Sequence, residues 1–139
     1  MHFARYWVDY AKRYGGSDKE SYRTYDLLEA EWNNIEVTAN WLWETAEVKG
    51  NNIRYKNAGR ILNDLADTLK LFLWFVGRWD ERIRLHTQAY HAARALKDWD
   101  KAGWHAYDVA WIYYNRIQTG DAAIWVDMCS DAWDREVSK

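Results

Sequence analysis

Not one proline occurs among 139 residues, where a chain of average composition would carry about seven. Proline inside a helix removes an amide donor and collides with the preceding turn, so its absence leaves long stretches free to coil. The seven glycines fall mainly where helices would stop or meet. Apolar residues recur with a period near 3.6 almost throughout, and no sustained period-2 alternation is bounded by hairpin signals. An all-α fold follows. Aromatic residues make up 17% of the chain, with 11 Trp, 10 Tyr and 3 Phe. Such large rigid surfaces can weld short helices together, and core and inter-helix packing accounts for most of them.

Seven helices are predicted. The first spans about 3–14, with Phe3, Trp7, Tyr10 and Tyr14 on one face and Gly15 and Gly16 as its stop. Ser17 to Glu20 reads as a capping box opening a second helix that carries Tyr22, Tyr25 and Leu28. A third covers about 33–48, with Ile35, Ala39, Leu42 and Ala46 inward, and is closed by Gly50, Asn51 and Asn52. A fourth, about 53–75, carries Ile61, Leu65, Leu69, Phe72 and Val76 and ends at Gly77. The fifth, about 79–96, answers with Trp79, Ile83, His86, Tyr90 and Ala93. A sixth, about 100–118, stops at Gly120, and the seventh runs from about 123 to 137. The last four form two hairpins that repeat. Gly77 aligns with Gly120 and Ala89 with Ala132 at a spacing of 43, and Ala58 and Gly59 align with Ala102 and Gly103 at 44. Repeated units of this size cannot bury their apolar faces alone, so the pairs are expected to stack in a right-handed superhelix with a concave side.

Length and charge set outer bounds. The chain suits one domain over 1–139, long enough to bury about 70% of its unfolded surface. With 19 basic and 21 acidic side chains it has no global basic field for nucleic acid. The single Cys129 forms no intrachain disulfide, no cysteine cluster suits structural zinc, and a cytoplasmic setting is expected. The longest uninterrupted apolar run, Leu71 to Val76, is too short for a bilayer, and the charged start around Arg5, Asp9, Lys12 and Arg13 is no signal peptide. No membrane partner is expected.

Particular residues resemble a known family. Gly77, Arg78, Trp79, Asp80, Glu81 and Arg82, followed by Gln88, Ala89, Ala92, Ala93 and Arg94, look like the turn and second helix of a tetratricopeptide-like repeat, and Gly120 to Ala123 is similar. Leu28 to Ile35 and then Ala39 to Trp43 resemble the opening of the repeat region that follows the nucleotide-binding and winged-helix modules of bacterial STAND-type signalling ATPases. Arg82 and His86 stand where that pattern carries small and aromatic residues. The resemblance implies a sensor or scaffold segment whose parent chain supplies a nucleotide-binding domain. No Gly-rich loop ending in Lys-Ser or Lys-Thr occurs here.

The candidate chemistry is sparse. His86, His91 and His105 fall within twenty residues with Asp80, Glu81 and Asp108 near in sequence, yet His86 and His91 are five apart rather than i, i+4, and no His-Glu-x-x-His occurs. Surface or interface histidines are expected, with no metal and no cofactor. Cys129 beside Met128 reads as a packed thiol rather than a nucleophile. Carboxylate pairs such as Asp64 with Asp67, and Asp80 with Glu81, suit solvated helix faces, and the basic excess of the fifth helix suits an outer face. A more promising set lies on the first helices of the two repeats. Arg60, Asp64 and Asp67 are expected opposite Trp104, Asp108 and Trp111, with Asn115 continuing the line, as a groove for a peptide or partner helix. Trp104 and Trp111 share their stripe with Tyr107 and Tyr114, which equally suits a core. The expected function is non-catalytic recognition of a protein or peptide, or effector sensing. A homo-oligomerisation module and a small helical enzyme or metal-binding protein using His and carboxylates are the alternatives.

Overall fold

The computed structural model describes residues 2–16 and 20–139, and these are helical nearly throughout. The helices are α1 (His2–Tyr14), α2 (Tyr25–Ala30), α3 (Trp32–Ala46), α4 (Lys56–Phe75), α5 (Trp79–Ala95), α6 (Trp99–Asn115) and α7 (Thr119–Val137). Ser17 of the expected capping box lies outside the described residues, and Glu20 instead precedes a 3-10 turn over Ser21–Thr24 with no side-chain cap. A single residue, Glu31, separates α2 from α3. The glycine cluster after α3 does more than end it. Glu47 caps that helix in the left-handed region, and Val48–Lys49 pairs antiparallel with Asn52–Ile53 as a two-stranded hairpin, a small element that the helical periodicity had masked. Gly50, at φ 57°, takes the left-handed position such a two-residue turn requires.

Three turns link α4 to α7, and they are the same turn. Left-handed residues stand at Gly77, Lys97 and Ile117, with φ of 79°, 60° and 59°. In each case the next amide reaches back to the carbonyl five residues earlier at 2.9 Å: Arg78 to Leu73, Asp98 to Ala93, Gln118 to Tyr113. This is the Schellman closure, which satisfies the orphan carbonyls of a helix end. The expected pairing of Gly77 with Gly120 is therefore out of register. Gly120 lies in the first turn of α7, and Ile117 holds the place that corresponds to Gly77. The two first helices do start 43 apart, at Lys56 and Trp99, but α4 has 20 residues and α6 has 17, so the spacing has shrunk to 40 at the turn.

Three-residue connections send each helix back along its predecessor, and α3 to α7 pack on one another in chain order, with α1 laid on α3 and α4. One core runs through α1 to α5, centred on Leu28, Ile35, Leu42, Leu62, Leu65, Leu69 and Phe72. Ile35, Ala39, Leu42 and Ala46 are buried as expected, whereas Val76 is exposed, and α1 buries Ala4, Val8 and Ala11 with its aromatics along the margin. A second, smaller core joins Tyr90 and Ala93 to Ala102, Ala106, Cys129 and Ala132, with Trp99, Trp125 and Trp133 around it. Small residues let these helices approach, and the indoles close the edges. None of the described helices is long and apolar enough to cross a membrane.

Candidate functional site

Where α4, α5 and α6 meet, the interior is polar. Arg82, His86, His105, Asp108 and Asn63 are all buried. Both histidines are fully enclosed between helices, so of the expected surface or interface settings the surface one is corrected. Arg82 Nη2 donates to Asp108 Oδ1 at 3.2 Å, and its Nη1 donates to the Lys70 carbonyl at 3.1 Å. The Asn63 amide nitrogen donates to the Gly59 carbonyl at 2.9 Å, which turns Asn63 Oδ1 toward His105 Nε2 at 2.6 Å. A carbonyl oxygen only accepts, so His105 carries its proton on Nε2 and presents a lone pair at Nδ1. That lone pair faces His86 Nδ1 at 3.0 Å. His86 Nδ1 also stands 3.5 Å from Asp108 Oδ2, and Asp67 Oδ1 lies 4.0 Å from His105 Nδ1.

Burial governs the protonation of this cluster. Desolvation, reinforced by Lys101 and Lys70, pushes His105 down to about 3. Desolvation, with His105, Arg82 and Lys70 adding to it, holds His86 well below the usual imidazole range, against a weaker pull from the Ala66 carbonyl. Both rings are neutral at pH 7. Burial raises Asp108 to about 6, with Arg82 opposing the rise, and burial likewise raises Asp67. Three buried atoms of this cluster, Asp108 Oδ2, His86 Nε2 and Arg82 Nε, have no hydrogen-bond partner.

Above this cluster α4 and α6 enclose a recess of about 260 Å³, lined by Lys70, Leu71, Trp74, Trp104, Tyr107 and Trp111, with Arg82 and Asp108 at its floor. Trp74 stacks flat on Trp79 at 4.8 Å and leans toward Trp111 at 6.0 Å. The aromatic stripe of α6 is not core: Trp104, Tyr107, Trp111 and Tyr114 are 46%, 44%, 39% and 64% exposed.

The expected groove residues thus divide. Trp104, Asp108 and Trp111 share the recess, although Asp108 is committed to Arg82 and is not presented outward. Arg60 and Asp64 border a separate polar recess with Lys97 and Lys101, and Asp64 pairs with Lys12 of α1. Asp67 borders neither recess and lies beside His105. Asn115 is turned onto its own helix, donating to the Trp111 carbonyl at 2.7 Å. Sequence reasoning missed Lys70, Leu71 and Trp74 as recess walls, and it weighed His86 and His105 for metal binding but set them aside without joining them to Asn63 and Arg82 in one buried cluster. One signal was available. Arg82 and His86 occupy places where a helical repeat carries small or aromatic residues, and four residues apart they share a helix face. No protein-family model, curated protein or solved structure matches the chain.

Proposed function

We propose that the chain is a non-catalytic recognition module of the tetratricopeptide-like kind, one that takes a peptide segment of a partner protein between α4 and α6 as part of a STAND-type signalling chain. The observation that carries this reading is the row Trp104, Tyr107, Trp111 and Tyr114, four large rings along one helix left uncovered. Rigid aromatic faces give large contact area at low entropic cost and dominate interface energies. Lys70 beside Leu71 and Trp74 suits a peptide that offers apolar side chains with a carboxylate nearby. A peptide-array screen with the wild type and the Trp104→Ala, Trp111→Ala variant tests it. Loss of the bound peptides in the variant supports the recess as the binding surface, and identical profiles overturn that assignment.

Self-association is a second reading with its own observation. Between α6 and α7, sharing Tyr107 and Trp111 with the recess, lies an apolar groove of about 460 Å³ also bordered by Ala110, Tyr114, Ala122 and Val126, with Ile117 and Ile124 exposed close by in sequence. Sedimentation velocity across a concentration series separates the two readings. A stable dimer favours assembly, and a monomer at every concentration removes it.

A further inference from the structure

We propose that His86 Nδ1, His105 Nδ1 and Asp108 Oδ2 form a binding site for one first-row divalent transition-metal ion of the zinc class, with Asp67, a second carboxylate, at its margin. One donor atom from each of the three residues lies within 4.8 Å of the other two, and all three residues are buried. An ion about 2.0–2.1 Å from each ligand requires donors roughly 3.0–3.5 Å apart. The separations of 3.0 Å between the imidazoles and 3.5 Å from His86 to Asp108 meet that requirement. Two imidazoles and a carboxylate are a donor set suited to such ions.

The surroundings do what outer-sphere partners of metal ligands do. A ligating histidine usually donates its other ring N–H to an oxygen, which fixes the ring and its tautomer, and His105 does so to Asn63, itself held by Gly59. Asp108 is oriented by Arg82 through Oδ1 alone, which leaves Oδ2 free. The proton count agrees. Without an ion, the only way to reconcile two Nδ1 atoms at 3.0 Å is a proton on His86 Nδ1, and that leaves both His86 Nε2 and Asp108 Oδ2 buried without a partner. With an ion, Asp108 Oδ2 and both Nδ1 atoms coordinate it. The His86 proton moves to Nε2, and no proton is lost. The recess with Asp108 at its floor gives the ion a way in. The site stands independently of peptide recognition, since it uses none of the exposed rings.

The test uses the whole chain, stripped with a chelator and titrated with Co²⁺ and Zn²⁺. The expected result is visible Co²⁺ ligand-field absorption saturating at one equivalent, displacement by Zn²⁺, and an upward shift of Tm with Zn²⁺. Asp108→Asn and His86→Gln should each weaken binding by at least about 10-fold, whereas His2→Gln and His91→Gln should leave it unchanged. Should the buried variants fail to fold, long-range ¹H–¹⁵N spectra of the wild type decide the question alone, because Zn²⁺ must then move the ring nitrogens of His86 and His105 and not those of His2 and His91. Absent Co²⁺ bands, an unmoved Tm under excess Zn²⁺, or shifts confined to His2 and His91 would overturn the proposal.

Discussion

Ile117 sits in the left-handed region at φ 59° and is 84% exposed. A β-branched side chain there crowds its own backbone, which costs about 1–2 kcal/mol, and nothing around it compensates. Ile117→Gly should therefore raise stability by about 1 kcal/mol, read as a higher urea midpoint with an unchanged slope. Gly103 is the opposite case. It faces the indole of Trp133, whose Nε1 donates to the Asp100 carbonyl at 3.3 Å, and a β-carbon on residue 103 would run into that ring. Gly103→Ala should cost about 1–3 kcal/mol by overpacking, with a change in tryptophan fluorescence. The buried thiol of Cys129 is pushed up to about 11, by burial first and by Asp108 second. At neutral pH it is a poor nucleophile, so iodoacetamide should label the native chain far more slowly than the urea-unfolded one, and equal rates would show the pocket to be open.

Between elements, the contact of α5 with α6 includes the Arg82–Asp108 ion pair, with side chains only 5% and 6% exposed. Removing one partner of a buried pair strands the other, so Arg82→Ala should cost about 3–5 kcal/mol, while Arg82→Met combined with Asp108→Leu should cost less than either single change. A double-mutant cycle in urea measures the difference. Helix α7 buries only Ala122, Cys129 and Ala132 and packs chiefly on α6, whereas α4 buries nine residues and touches α1, α3, α5 and α6. Amides of α7 should consequently exchange with solvent well before those of α4. The helices themselves were legible in the spacing of Leu65, Leu69 and Phe72, and of Ile35, Ala39 and Leu42, because burial along a helix repeats with its own turn. Helix ends were less so. Gly77 marked its turn, but Lys97 and Ile117 bear the same left-handed geometry without glycine, and Gly120 drew the repeat three residues out of register.

At the scale of the molecule, a large core under α1 to α5 and a smaller one under α5 to α7 share α5, and the polar cluster sits where α4, α5 and α6 converge. Its members lie on three helices. Asn63 and His105 are 42 residues apart and Arg82 and Asp108 are 26 apart, so no local pattern joins them. The sequence by itself determined the helical class and the approximate extent of seven helices, since proline content and apolar period act within a single helix and need no neighbour. Only the tertiary structure decided which rings stay in water and which polar groups are enclosed. An amphipathic stripe shows that a face is apolar without showing whether another helix covers it, and on α6 the face carrying Trp104 and Trp111 was left open while the one carrying His105 was closed.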